Sequence, residues 1–532
     1  MDRNINDEKT KGGMLSGLIG GTLSLTASAV IVKLIGLFYK IPIASFLGDE
    51  GMGYFNSAYT VYAFFYLLCT AGVPKAVMIL ISEAKARGRM CDQKKIFRIA
   101  IILFLSVGTF LTLLFMIFAH PISHLIGNSG SYLTMVAIAP SIIFVALSGV
   151  IRGYLSANTR LLDIAVSQVV EGVGKLGVGL ILAGLGKRWN LDLKCISALT
   201  ILGVTFGSVV GLLYLLVCLK TFKTNEKAGQ NDNSIKASTV IKRIFSISLP
   251  ITLSAALMSV SSLIDLGLIM RSLVKIGYNE SVAGALYGNY TTLAVPMLNL
   301  AMSVISPISI AFLPILTRCI VSSDKEGFKR TEKSAIGFSQ ILAAPMMIGL
   351  IVYAREILTM LFKKSEIEIG ARLLSFIAPS IFFYSLLLII NTILEAAGRT
   401  RAPLLSMAIG SIVKVGVSYY LIVKAEMGII GAPVGTVISY AVALVISTLI
   451  YGISFKKHAP IFEGSILPYL SSFIAIILSR FVYDRIILIL SPTPALILSI
   501  LIAALIYLII LAFCGIIRPK EMQELAKYTN LS

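Results

Sequence analysis

The chain has 532 residues, 57% of them apolar and 14% charged, with a mean hydropathy of +0.90. That composition excludes an ordinary soluble domain and indicates an integral membrane protein. A formal net charge of +20 raises the question of nucleic acid. However, most of the lysines and arginines fall in the tails and in alternate loops, the pattern of a positive-inside topology reinforced by anionic lipid, so no nucleic-acid partner is expected.

The first eleven residues are polar, and the apolar run behind them is long enough to span rather than be removed, so no cleavable signal peptide is expected. Apolar segments of about 20 residues, the length of a membrane-crossing helix, then recur at 14–39, 54–81, 97–119, 132–157, 161–185, 196–219, 244–270, 283–316, 335–353, 371–396, 403–423, 428–453, 466–483 and 493–517. The expectation is an all-α multi-pass protein with about fourteen transmembrane helices and both termini cytoplasmic. The most polar internal stretch, 221–242, falls after the sixth span. It divides an N-terminal lobe (1–220) from a C-terminal lobe (243–453), and 454–532 supplies the last two spans and a tail.

The two lobes resemble each other. Ala139–Leu182 aligns without a gap on Ala378–Leu421 at a constant offset, with Ala-Pro-Ser-Ile repeated at Ala139 and Ala378, Ser167 on Ser406, Gly177 on Gly416 and Lys175 on Lys414. Outside that stretch Lys33 falls on Asp265 and Tyr59 on Tyr290. Six spans per lobe give the copies one orientation, so a pseudo-two-fold axis along the membrane normal is expected. Transporters built this way bind substrate where their repeats meet.

Little in the sequence supports an enzyme. No loop is long enough for a soluble catalytic domain, and Gly174-Lys175 and Gly186-Lys187 lack the rest of a phosphate-binding loop. The six cysteines are scattered, His120 and His124 flank Pro121, and His458 is remote, so neither a disulfide framework nor a metal site is suggested. No catalytic residue and no cofactor are expected.

The chemistry lies in charges within the spans. A charge at the bilayer centre costs about 3 kcal/mol or more, so it faces a partner or a wet cavity. Lys33 has Ala29 and Thr26 one and two turns before it. Glu171 precedes Lys175 by four residues, the favourable order on one helix face; the pair is either a self-neutralising ion pair or a device in which Glu171 orients Lys175. Lys414 has Gly410, Ser411, Val417 and Ser418 at the corresponding spacings, so its partner comes from another helix or from an anionic ligand. Asp265 is placed to pair with Lys33 or Lys414, or to bind a coupling cation. Arg152, Lys40, Arg271 and Lys75 stand nearer the span ends, where they can snorkel.

If these cations share a cavity, the cargo is anionic: a phosphate or pyrophosphate carrying a polar group. Tyr59, Tyr62 and Tyr66 recur at i, i+3, i+7, positioned either to stack on sugar rings or to pack against a neighbouring helix. Gly203, Gly207 and Gly211, like Gly431 and Gly435, mark close-packed helix faces.

Arg152-Gly153-Tyr154 followed by Ser167-Gln168-Val-Val-Glu171 resembles the signature of bacterial polysaccharide and lipid II flippases of the multidrug/oligosaccharidyl-lipid/polysaccharide exporter superfamily. Phe46-Leu47-Gly48, Ala71-Gly72-Val73-Pro74, Ala344-Pro345 and Gly428 to Thr436 extend the resemblance over essentially the whole chain, closest to stage V sporulation protein B and the lipid II flippases of Gram-positive bacteria. The resemblance implies a bacterial cytoplasmic-membrane location, a monomer, and two six-helix lobes in a V that alternate in access. It implies as cargo an undecaprenyl-pyrophosphate-linked saccharide, its head at the cationic residues and its tail in a groove by the last two spans. Leu155-Ser156-Ala157 and Tyr39-Lys40 depart from the family pattern. A cation-coupled drug exporter of the same superfamily is the alternative.

Overall fold

A computed structural model describes residues 36, 39–87, 89–221, 236–362, 366–456 and 466–514. The first expected span, with Lys33, lies outside these apart from its last residues. Every regular element among the described residues is helical: α1 (39–70), α2 (Val73–Ala86), α3 (Met90–Ile126), α4 (Tyr132–Ile138), α5 (Ser141–Ala157), α6 (Leu161–Arg188), α7 (Leu193–Thr221), α8 (Ala237–Lys275), α9 (Glu280–Asn289), α10 (Val295–Val321), α11 (Lys325–Val352), α12 (Ala354–Leu361), α13 (Ile367–Ile377), α14 (Ser380–Ala396), α15 (Arg401–Tyr419), α16 (Gly431–Phe455), α17 (Ile466–Ile486) and α18 (Pro492–Phe513).

Eleven helical segments among the described residues are long and apolar enough to cross a bilayer. The number is twelve when α4 and α5, bent by 41° at their break, are counted as one span. These twelve coincide with twelve of the fourteen expected spans. The seventh expected span falls on α8, a helix of 39 residues.

The described residues form two compact units that divide the chain after Gly288. Within each, the repeat recurs as geometry. Pro140 caps α5 and Pro379 caps α14; each helix then runs 17 residues. Each stops at a left-handed residue in matching register, Thr159 (φ 59°) and Gly398 (φ 77°). Proline is suited to a helix start because its missing N–H has no intrahelical partner there, and a left-handed residue ends the helix. Ser167 and Ser406 are both buried and donate to the carbonyl three residues earlier, Ile164 at 2.7 Å and Pro403 at 3.0 Å.

Glycines set the spacing of the first unit. A Cβ on Gly72 would lie 2.3 Å from the Ser248 carbonyl of α8, and one on Gly53 would lie 2.1 Å from the Gly284 carbonyl of α9. Helix backbones approach so closely only where no side chain intervenes. Gly48, within α1, takes φ +64°, a left-handed conformation that glycine adopts without strain.

Candidate functional site

Seven of the expected site residues of the first unit lie on α1 (Lys40, Tyr59, Tyr62, Tyr66), α5 (Arg152) and α6 (Glu171, Lys175). Arg152 reaches from α5 to α6: its Nη2 donates to Glu171 Oε2 at 2.8 Å and its Nε to Ser167 Oγ at 3.2 Å. With side chains only 14% and 26% exposed, this is a charge-assisted contact in a partly dehydrated setting. Glu171 therefore serves Arg152, on the neighbouring helix, and the Glu171–Lys175 pairing suggested by helix spacing is not the contact formed. Burial of Ser167 beside its own helix fixes the Oγ that Arg152 meets.

One turn along α6, the Lys175 ammonium stands over two aromatic rings, 4.7 Å from the Tyr59 centroid and 5.0 Å from that of Tyr39. An ammonium over two rings is held by their negative faces. Tyr39 is 2% exposed and donates to the Thr200 carbonyl of α7 at 3.2 Å. It fits there because position 179 is glycine: a Cβ would sit 2.6 Å from the Tyr39 hydroxyl oxygen. The seam of α6 with α7 is built on Gly203, Gly207 and Gly211, whose added Cβ atoms would meet Gly179, the backbone at Lys175 and the Glu171 side chain. Glu171 and Lys175 thus stand at that seam, where the glycines of α7 leave room for their side chains. Lys40, half-buried, lies within electrostatic reach of Lys175.

The tyrosines of α1 form a ladder. Ring centroids are 5.7 Å apart for Tyr59–Tyr62 and 5.8 Å for Tyr62–Tyr66. Tyr59 is 36% exposed, Tyr66 half-buried, and Tyr62 only 4% exposed, so Tyr62 braces its neighbours while Tyr59 offers an open face. Tyr66 stands within the field of the Arg152–Glu171 pair. Arg271 is not part of this cluster: it is exposed, with its Cγ against the C-terminal glycine of α3, Gly127. Asp265 is half-buried on α8.

In the second unit Lys414 is half-buried on α15 in the register of Lys175. Its charge is felt by Tyr440 of α16, whose ring meets Tyr384 of α14 edge-on at 5.8 Å. Both repeats thus carry a half-buried lysine of the same register, Lys175 over the rings of Tyr39 and Tyr59 and Lys414 within electrostatic reach of Tyr440. Sequence reasoning missed Tyr39, Tyr384 and Tyr440. The signal for Tyr39 was a run of glycines on α6 and α7 wide enough to admit a ring; nothing local marked the other two.

An apolar groove of about 610 Å³ opens between α11, α14 and α17, lined by Ile348, Ile351, Val352, Phe382, Leu470 and Phe473 among others. Its one polar-tipped wall residue, Tyr469, donates its hydroxyl to Gln340 Oε1 at 3.0 Å.

The sequence model of the family described as "Lipid II flippase MurJ" matches residues 43–507. Among individual proteins, the chain is 25% identical over 511 residues to stage V sporulation protein B of Bacillus subtilis (strain 168), covering 95% of this chain and 97% of that one. It is 22% identical to lipid II flippase MurJ of the same organism, covering 84% of each. Among solved structures, lipid II flippase MurJ in an inward closed conformation superposes with a TM-score of 0.68 at 17% identity, over 93% of this chain and 99% of that one. An inward-facing multidrug resistance MATE transporter of the MOP superfamily superposes with a TM-score of 0.64 at 14% identity, over 82% and 98%. At these identities the two structures share the fold.

Proposed function

The chain belongs to the lipid II flippase MurJ family, and we propose that it moves an undecaprenyl-pyrophosphate-linked saccharide, lipid II or a related wall precursor, across the bacterial cytoplasmic membrane by alternating access. Membership makes it a multi-pass membrane protein of the transporter type, whose substrate is lipid-linked. The finer reading rests above all on one observation: the repeat sets a half-buried lysine of identical register in each unit, Lys175 over the Tyr39 and Tyr59 rings and Lys414 within electrostatic reach of Tyr440. A cation kept twice at such a cost suits an anionic cargo.

In this reading Lys175 and Lys414 engage the pyrophosphate, with Lys33 and Lys40 adding to the positive potential. Arg152 contributes less, since Glu171 neutralises it at 2.8 Å. Lys175, held over the Tyr39 and Tyr59 rings, is placed to meet the ligand. The open face of Tyr59 stacks on a sugar. Asp265 takes part in the charge switch between access states, and the membrane potential, worth about 2.3 kcal/mol per charge per 100 mV, biases the cycle without ATP. The apolar groove beside α17 suits a polyisoprenoid tail, because its wall hydroxyl is already satisfied and its remaining surface is hydrocarbon. Termini on the cytoplasmic side and a monomeric state complete the proposal.

The test is the leaflet distribution of lipid-linked precursors in cells depleted of this protein, restored as wild type or as Lys175→Ala/Lys414→Ala. The reading expects precursor trapped on the cytoplasmic leaflet, released by wild type and not by the double variant. An unchanged distribution in cells without a redundant flippase refutes it.

A further inference from the structure

The helix that walls the apolar groove, α17, is pinned to its unit by polar contacts at both ends of the groove and by apolar ones between. At one end, Tyr469 donates to Gln340, whose Nε2 donates to Ser385 Oγ of α14 at 2.9 Å. At the other, where α11 passes into α12, Arg480 Nη1 donates to Glu356 Oε1 at 2.6 Å and its Nε lies 3.4 Å from Asp484 Oδ1. The Arg480 guanidinium stands 5.7 Å from the Tyr353 centroid and 5.1 Å from that of Tyr483, two rings that meet edge-on. Tyr353 in turn shares a hydrogen bond of 2.8 Å with Ser479. Tyr353 directly follows Val352, the last groove residue of α11. Phe473 precedes Arg480 by seven residues, about 10 Å of helix.

Between the two pins α17 packs on α11 through apolar side chains, Ile476 sharing a buried cluster with Ile348, and a Cβ on Gly349 would find Ile476 Cδ1 at 3.9 Å. The apolar contacts hold α17 near α11, and the pins at its ends fix the position and rotation from which the groove width follows. A guanidinium with two carboxylates and two rings fixes position and orientation together, because its donors lie in a planar fork and its faces stack.

We infer that Arg480 is a positioning residue for the lipid tail: through Glu356 and Tyr353 it fixes α17 at the spacing from α11 that lets the groove take a long isoprenoid chain. Arg480 itself touches no groove surface, so it governs selectivity for the chain and not for the head. The inference rests on the reading of the groove as the tail site.

The test uses the full-length protein in lipid nanodiscs with two probes sharing a phosphate head, long undecaprenyl phosphate and short geranyl phosphate. Arg480→Gln and Glu356→Gln are each expected to weaken the long probe about tenfold, the scale of one lost partly buried charged contact, with the short probe unchanged. The combined variant should lose no more than either alone, and Arg480→Lys, which keeps the charge, should recover much of the affinity. If either glutamine variant fails to fold, Tyr353→Phe loosens the same pin by one hydrogen bond and reads the same selectivity. Equal losses for both probes, or none in folded variants, overturn the role of Arg480 while leaving the tail groove standing. A wild type that does not prefer the long probe overturns the tail groove, and the role of Arg480 with it.

Discussion

Replacing Glu171 by Gln removes the carboxylate that accepts from Arg152 at 2.8 Å and leaves the contact of Arg152 with Ser167 Oγ at 3.2 Å. Exposed ion pairs are worth about 1 kcal/mol or less, and breaking a fully buried one costs about 3–5 kcal/mol. With side chains 14% and 26% exposed, this pair lies nearer the buried limit. Glu171→Gln and Arg152→Gln should then each cost about 2–3 kcal/mol, with the double variant costing little more than either, a coupling of about 2 kcal/mol. Denaturant unfolding of the four purified proteins measures that coupling. A value below about 0.5 kcal/mol would mean that water screens the pair, and the argument that Glu171 neutralises Arg152 would fail. The two cations also separate by readout: Arg152→Gln should lower stability more than anion binding, and Lys175→Gln the reverse.

Three further outcomes follow from the packing. Gly53→Val places a side chain 2.1 Å from the Gly284 carbonyl and should destabilise by more than about 2 kcal/mol, read as a fall in melting temperature; an unchanged melt would show that α1 and α9 are not so close. Gly177→Ala meets nothing within 4 Å and should be neutral or stabilising by up to about 1 kcal/mol in the same assay, since alanine favours the helix. Tyr451→Phe deprives the fully buried Glu332 of its phenol donor and should cost about 1–3 kcal/mol, with no change in flipping per folded molecule.

Much of this protein was legible along the chain. Apolar stretches of bilayer length reappear as helices because a backbone in hydrocarbon must satisfy its own hydrogen bonds, which a helix does within a single segment. The repeat was equally legible, since Pro140 and Pro379, Ser167 and Ser406, and Lys175 and Lys414 each keep both residue type and register. So was the presence of cations within spans, because their cost is a property of the residue and its depth. Partner choice was not. Spacing on α6 suggested Glu171 with Lys175, but a neighbouring helix brought the bidentate-capable Arg152 to that carboxylate, and a planar fork with a serine beside it is a better match than a flexible ammonium. Lys175 then met Tyr39 and Tyr59, residues 136 and 116 positions away in sequence. The period of the tyrosines predicted a shared face, yet only tertiary packing buried Tyr62 and left Tyr59 open. Sequence thus determined which groups enter the membrane, because burial cost and backbone satisfaction are local. Tertiary structure alone decided which charge meets which, because that depends on helices approaching to within a glycine's width.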